Sequence, residues 1–208
     1  MAIEHKFITD SILKYNISVF LEESLEKAGF SRVDIQKTPM ITRITVYVLN
    51  PGRVIGKGGR TIDALTESVR TKFGMQNPQI SIMGIDNKML EPLLVAKDIA
   101  QKLERGINFR KIVQGTLRSI IENGGAIGAE IIIGGKLAAK NAKAKSMKKR
   151  VGYIPKSGHI VDLVREDHAT ALTKYGTIGI KVRIVPPGTV FPGSDMKKIA
   201  MPKSIMHS

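Results

Sequence analysis

Apolar positions along the first hundred residues change period twice. Ile17, Leu21, Leu25 and Ala28 recur at helical spacing and Gly29 follows them, which predicts a helix over much of 10–28. The period then falls to two. Val33 and Ile35 alternate with Arg32, Asp34 and Gln36, Thr38-Pro39 marks a turn, and Ile44, Val46 and Val48 alternate with Thr45 and Tyr47. That is the pattern of a β-hairpin. Asn50-Pro51-Gly52 opens a short helical turn, and Ile62, Leu65, Val69 and Phe73 mark an amphipathic helix stopped at Gly74. Ile80 and Ile82 supply a third strand.

The second half is organised differently. A helix carrying Leu93, Leu94 and Leu103, opened near Pro92 and stopped at Gly106, is expected to bridge the halves, with the boundary near Gly106. Between Phe109 and Glu122, Ile112, Val113, Leu117, Ile120 and Ile121 form another apolar face, ended by Gly124-Gly125. Ala126 to Ile133 reads as an apolar strand. Ile178, Ile180, Val182 and Ile184 alternate with Lys181 and Arg183 up to Pro186-Pro187-Gly188, the clearest half-buried strand of the chain. Two further strands are expected around 151–154 and 159–164. The fold class predicted is α+β, with a helix packed on a small mixed or antiparallel sheet in the second half. From Phe191 onward there is no periodicity, and an unstructured tail is expected. The expected organisation is a first domain over 10–86, a bridging helix over 87–106, a C-terminal α+β domain over 107–188 and a tail over 189–208.

Between the hairpin and the second helix stands Val54-Ile55-Gly56-Lys57-Gly58-Gly59-Arg60. Its glycines let a nucleic-acid backbone pass close, while Lys57 and Arg60 supply charge at a helix N-terminus. A Walker A loop is excluded, because only three residues separate Gly52 from Gly56 and Gly58 occupies the hydroxyl position. A dinucleotide fingerprint would need glycine at Thr61. The order helix, strand, strand, short helix, GxxG, helix, strand is that of a type II KH domain, whose loop clamps single-stranded nucleic acid.

Charge narrows the choice of partner. The chain of 208 residues has 33 Lys and Arg against 18 Asp and Glu, a formal charge of +15. A field of that sign attracts polyanions. No apolar run is long enough to span a membrane and no secretory signal pattern follows Met1, so a cytoplasmic protein with no membrane partner is expected. With no Cys, thiolate nucleophiles and Cys-based zinc sites are excluded. The run from Lys136 to Arg150 holds Lys136, Lys140, Lys143, Lys145, Lys148, Lys149 and Arg150 with no acid among them, interleaved with alanines. Such a run is often just a solvated face, but here it reads as a second phosphate-binding segment, ordered mainly by RNA. Arg110-Lys111 opens the helix at Phe109 against the helix dipole, a small cost that a phosphate would offset.

Signals for catalysis are weak. Glu166-Asp167-His168 is the densest acid and imidazole cluster and reads as a solvated turn between strands. His5, His159 and His207 stand alone. No catalytic residue, metal, cofactor or small-molecule substrate is expected. Aromatic content is 5% without Trp, which disfavours base-stacking platforms and favours gripping of the backbone.

Three separated stretches carry a family resemblance. They are Asn50 to Arg60, Gly134-Gly135-Lys136-Leu137 with Ala144 to Lys148, and Tyr175 to Val182. In that order they resemble the universal KH-containing small-subunit ribosomal protein, the S three family, in its archaeal and eukaryotic style. The resemblance implies a type II KH domain followed by a smaller α+β domain. It also implies a non-enzymatic role in the head of the small subunit, binding ribosomal RNA, touching neighbouring head proteins and lining the mRNA entry channel. Family members set basic residues at the start of the second domain's first helix against mRNA, and Arg110 and Lys111 match them. Gln114 stands where the bacterial pattern has a third cation, and Gly58 where it often has a second lysine. The RNA-binding residues expected are therefore Arg53, Gly56, Lys57, Gly58, Gly59, Arg60, Arg110, Lys111 and the seven cations from Lys136 to Arg150. Two alternatives of other kinds are a nucleic-acid-processing enzyme, such as an abasic-site lyase or nuclease, and a free KH-type mRNA regulator.

Overall fold

A computed structural model of the chain describes residues 2–38, 41–75, 77–137, 143–189 and 191. The expected tail beyond Phe191, and residues 138–142 of the basic run with Lys140, lie outside the described residues. The chain divides between Asp86 and Asn87 into two compact units.

The first unit packs helices against a three-stranded sheet. Helix α1 covers Ala2–Ser24, starting earlier than its apolar period shows, and a 3-10 turn over Glu26–Ala28 ends at Gly29 in the left-handed region. Strands β1 (Phe30–Lys37) and β2 (Thr42–Val48) form the expected hairpin, with Ile35 opposite Ile44. Helix α2 (Pro51–Ile55), the glycine loop and helix α3 (Arg60–Phe73) lead to β3 (Pro78–Gly84), which pairs parallel to β2. Ile17, Leu21 and Leu25 of α1, Ile44, Val46 and Val48 of β2, and Leu65 and Val69 of α3 are buried. Each such side chain contributes roughly 2 kcal/mol on leaving water. Phe20 meets Phe73 edge to face at 5.9 Å between centroids, tying α1 to α3. Phe7, Ile8, Ile12 and Tyr15, on the first half of α1, are exposed, which is why no one-faced pattern marks the helix start.

In the second unit the strand order is β5-β4-β7-β6, antiparallel throughout. Strand β4 spans Gly128–Gly135 and β7 Gly176–Val185. Their inward residues Ala129, Ile131, Ile133, Ile178, Ile180, Val182 and Ile184 are buried beneath α4 (Pro92–Glu104) and α5 (Phe109–Glu122). Helix α4 was expected to be a bridge. It lies instead over β6 and β7 and gives Val95, Ala96, Ile99, Ala100 and Leu103 to this core, so the boundary falls before it rather than near Gly106. The arrangement is the α+β class expected.

Four local readings are corrected. The strand expected around 151–154 begins earlier, as β5 over Lys145–Gly152, because the lysine-rich segment pairs along the whole of β4. The stretch expected as a strand over 159–164 is a 3-10 helix, His159–Leu163. Glu166-Asp167-His168 belongs not to a turn but to β6 (Arg165–Thr173). Phe191, expected at the start of the unstructured tail, is 4% exposed. It packs with Ile154 and Val185 in a small satellite core and meets Tyr153 edge to face at 5.1 Å. Replacing Phe191 with Ala is expected to lower the unfolding free energy of the second unit by on the order of 3 kcal/mol, read as a shift in the denaturant midpoint.

Candidate nucleic-acid interface

The glycine loop is built by steric necessity at one end and left open at the other. Gly56 has φ 71° and ψ −176°, and a Cβ there would land on the Thr61 side chain, so only glycine fits. Gly58 and Gly59 take φ values of 66° and 79°, and a Cβ at Gly58 would meet open space. The space above Gly58 is therefore free for a backbone from outside. Gly59 caps α3 without a side-chain hydrogen bond, so the first amides of a 14-residue helix face outward with the positive end of its dipole. Lys57 and Arg60 flank this position, exposed and with no acidic partner among the described residues. Arg53 behaves differently. Its guanidinium donates to the Lys27 carbonyl at 2.7 Å, which ties α2 to the end of the 3-10 turn after α1.

In the second unit Asn108 caps α5 by accepting from the Arg110 amide at 2.9 Å. Burial of Ile112, Val113, Thr116, Leu117 and Ile120 turns Arg110, Lys111 and Gln114 toward solvent. Arg118 shares that exposed face, 3.8 Å from Glu122. The sequence reading passed over it, although it lies two turns beyond Lys111. Lys111 also lines a groove of about 370 Å³ between α4 and α5, with Lys88, Asp98, Lys102 and the apolar Val95, Ile107 and Ile112. Burial pushes the Asp98 carboxyl up, but Lys102 at 2.7 Å and Lys88 at 3.5 Å outweigh it and hold it below its ordinary value.

The basic run is divided by the pleat of β5. Lys148 and Arg150 share the outer face of the sheet with Glu130, while Lys145 and Lys149 fall on the side of the helices. Lys136 and Lys143 lie outside the strands, on either side of 138–142. Glu130 is 2% exposed and bridges Lys148 at 2.9 Å and Arg183 at 3.5 Å. Arg183 continues to Glu166 at 2.7 Å, and Lys181 reaches the other Glu166 oxygen at 2.9 Å. These two cations hold the Glu166 carboxyl below its ordinary value of 4.5, ionised and occupied, which is unsuited to proton transfer near neutral pH. Among the described residues no group of three His, Asp or Glu side chains is placed to hold a metal ion, and no helix is long and apolar enough to cross a membrane.

Comparison with known proteins follows the same division of the chain. A KH domain model matches residues 16–89, and the model described as Ribosomal protein S3, C-terminal domain, matches residues 99–184. Small ribosomal subunit protein uS3 of Methanospirillum hungatei is 40% identical over 193 residues, covering 92% of this chain and 80% of that protein. The chain belongs to the uS3 family. The uS3 proteins of Methanothermobacter thermautotrophicus and Methanocorpusculum labreanum are 40% and 39% identical, covering 91% and 92% of this chain and 73% and 82% of their own.

Two outcomes follow from the geometry. Gly56→Ala is expected to destabilise the first unit well beyond Gly58→Ala, which bears only the left-handed backbone cost of roughly 1–2 kcal/mol; denaturant melts of the two variants decide it. For Glu166, whose pKa is depressed, the stability difference between wild type and Glu166→Gln is expected to be full above pH 4.5 and to close as pH falls through the lowered value.

Proposed function

We propose that this chain is a non-enzymatic structural constituent of the small ribosomal subunit head, working in the cytoplasm, where it binds ribosomal RNA and helps line the channel by which mRNA enters. The observation that carries this reading is the glycine loop. A backbone left open at Gly58, Lys57 and Arg60 without an acidic partner among the described residues, and a helix N-terminus without a side-chain cap converge on one surface that offers charge and amides to phosphate. Membership of a family whose relatives are named small ribosomal subunit proteins supplies the assembly.

The two units divide the labour. The loop of Gly56, Lys57, Gly58, Gly59 and Arg60 grips ribosomal RNA, while Arg110 and Lys111, joined by Arg118, face the message with Gln114 between them as a hydrogen-bonding group. Lys136, Lys140, Lys143, Lys145, Lys148, Lys149 and Arg150 add phosphate contacts. Arg53 supports the loop from behind through its bond to Lys27. Neighbouring head proteins and ribosomal RNA are the partners, and no cofactor or small-molecule substrate takes part. The enzyme alternative needs an activated lysine or acid, and Glu166 of β6 is held ionised by Lys181 and Arg183.

Sedimentation of cell extract in a sucrose gradient tests the assignment, with co-migration with small subunits, and with whole ribosomes at raised magnesium, as the expected result. A pool confined to the top of the gradient would count against it. Lys57→Asp combined with Gly58→Asp is expected to weaken single-stranded RNA binding on the order of tenfold and to lower the salt slope, with a fall in melting temperature no larger than that of Gly58→Ala alone. Arg110→Ala with Lys111→Ala is expected to slow translation of structured messages while leaving subunit assembly intact. A borohydride trap on abasic DNA is expected to give no covalent adduct.

A further inference from the structure

The outer face of the four-stranded sheet has a charge pattern that neither the glycine loop nor α5 accounts for. Cross-strand register sets its side chains in layers. Arg150, Glu130, Arg183 and Glu166 form the first, and Lys148, Ile132, Lys181 and His168 the second. Four cations stand here against two carboxylates, and both carboxylates are shared between two cations, which holds the basic heads in place. Arg150 has no acidic partner among the described residues. The cations fall in two rows, Lys148 with Arg150 on β5 and Lys181 with Arg183 on β7. One strand, β4, separates the rows, so they run roughly 10 Å apart, with roughly 7 Å between successive cations in a row.

The floor beside these rows is flat. The next layer is Ser146, Gly134, Gly179 and Thr170. A Cβ on Gly134 would meet nothing within 4 Å, so packing inside this chain does not require glycine there. Glycine in a strand interior weakens the strand, and an open, side-chain-free spot of this kind suits close approach of a backbone from outside. None of these three layers holds Phe, Tyr or Trp, so the face lacks the stacking surfaces by which single-stranded bases are held.

We propose that this face is a second RNA-docking surface, distinct in kind from the loop, which takes the two sugar–phosphate strands of an RNA duplex. Lys148 and Arg150 contact one strand, Lys181 and Arg183 contact the other, and the Gly134–Gly179 floor admits the groove edge between them. Recognition is by backbone charge and duplex shape rather than by base. The proposal rests on the RNA-binding reading given above and adds the substrate class and the residues Lys181 and Arg183.

The test uses the full chain, a short blunt-ended RNA duplex and a single-stranded RNA of equal length, each titrated with salt. Lys148→Ala with Lys181→Ala is expected to lower duplex affinity on the order of tenfold and the salt slope by about 2, with a clearly smaller fall in single-strand affinity. Because removing Lys148 leaves buried Glu130 with one partner fewer, Gly134→Glu is the second variant. It sets a carboxylate between the rows at a position with room for it, and is expected to abolish duplex binding with the melting temperature unchanged. Duplex affinity indifferent to Gly134→Glu would overturn the proposal and leave the face to an acidic protein surface. The loop variant Lys57→Asp with Gly58→Asp is expected to do the converse, weakening single-strand binding on the order of tenfold with a clearly smaller effect on the duplex. If that variant alone behaves as expected, the loop reading stands and the duplex face falls.

Discussion

Beneath α4 and α5 the second sheet turns Ala129, Ile131 and Ile133 of β4 and Ile178, Ile180, Val182 and Ile184 of β7 inward, all of them buried. Strand side chains alternate, so burying this set sends Glu130, Ile132 and Gly134 of β4, with Lys181 and Arg183 of β7, to the other face. Pairing with β4 then decides which cations of β5 follow them: Lys148 and Arg150 do, Lys145 and Lys149 do not. The same contact orients α5. With Ile112, Val113, Leu117 and Ile120 against the sheet, Arg110, Lys111, Gln114 and Arg118 are left outside. A slip of one residue in β4 would turn Glu130, Ile132 and Gly134 inward in place of Ala129, Ile131 and Ile133, burying a carboxylate and losing an isoleucine, so the register of the apolar core and the pattern of surface charge are one decision.

Charge enters the stability of both units mainly where it is withdrawn from water. Glu130, almost wholly covered, depends on Lys148 and Arg183, and removing a partner from a buried carboxylate leaves an uncompensated charge. Pairs on the helix surfaces such as Arg70 with Glu67 and Arg118 with Glu122 are open to solvent and long, 3.5 Å and 3.8 Å, and add little. The outer network therefore has a structural part at Glu130 and a more accessible part at Lys148, Arg150 and Lys181.

Elements whose apolar residues are large and regularly spaced were legible without coordinates. The β1–β2 hairpin, α3, α5 and β7 each bury one face of Ile, Leu or Val, and the glycine loop has a spacing that few other loops share. Elements whose inward residues are small or charged were not. Strand β6 turns Ala169 and Ala171 toward α4, with Arg165 reaching Glu91 at 3.0 Å, so it is held by close backbone approach and an ion pair rather than by a hydrophobic stripe. Strand β5 contributes only Met147 and Val151 to the core, and its lysines mask the period. Helix α4 turns Ala96 and Ala100 as well as Val95, Ile99 and Leu103 into the core, and alanines leave little mark in a hydrophobic pattern. Of the site residues, the exposure of Lys57, Arg60, Arg110 and Lys111 followed from their surroundings in sequence. The tie of Arg53 to Lys27 is a tertiary event with no local signature.

The lysine-rich strand β5 lies at the edge of its sheet, and an edge offers unsatisfied amides and carbonyls to any other strand. A second molecule joining there would bring Lys145, Lys148, Lys149 and Arg150 against a strand from a chain of the same strong charge. Self-association is thus opposed by electrostatic repulsion for as long as the chain is free, whatever the hydrogen bonds on offer. Polyanion that neutralises these side chains lifts the repulsion only by occupying the surface it protected. The chain carries its own guard against aggregation between synthesis and assembly, and gives it up only once assembled.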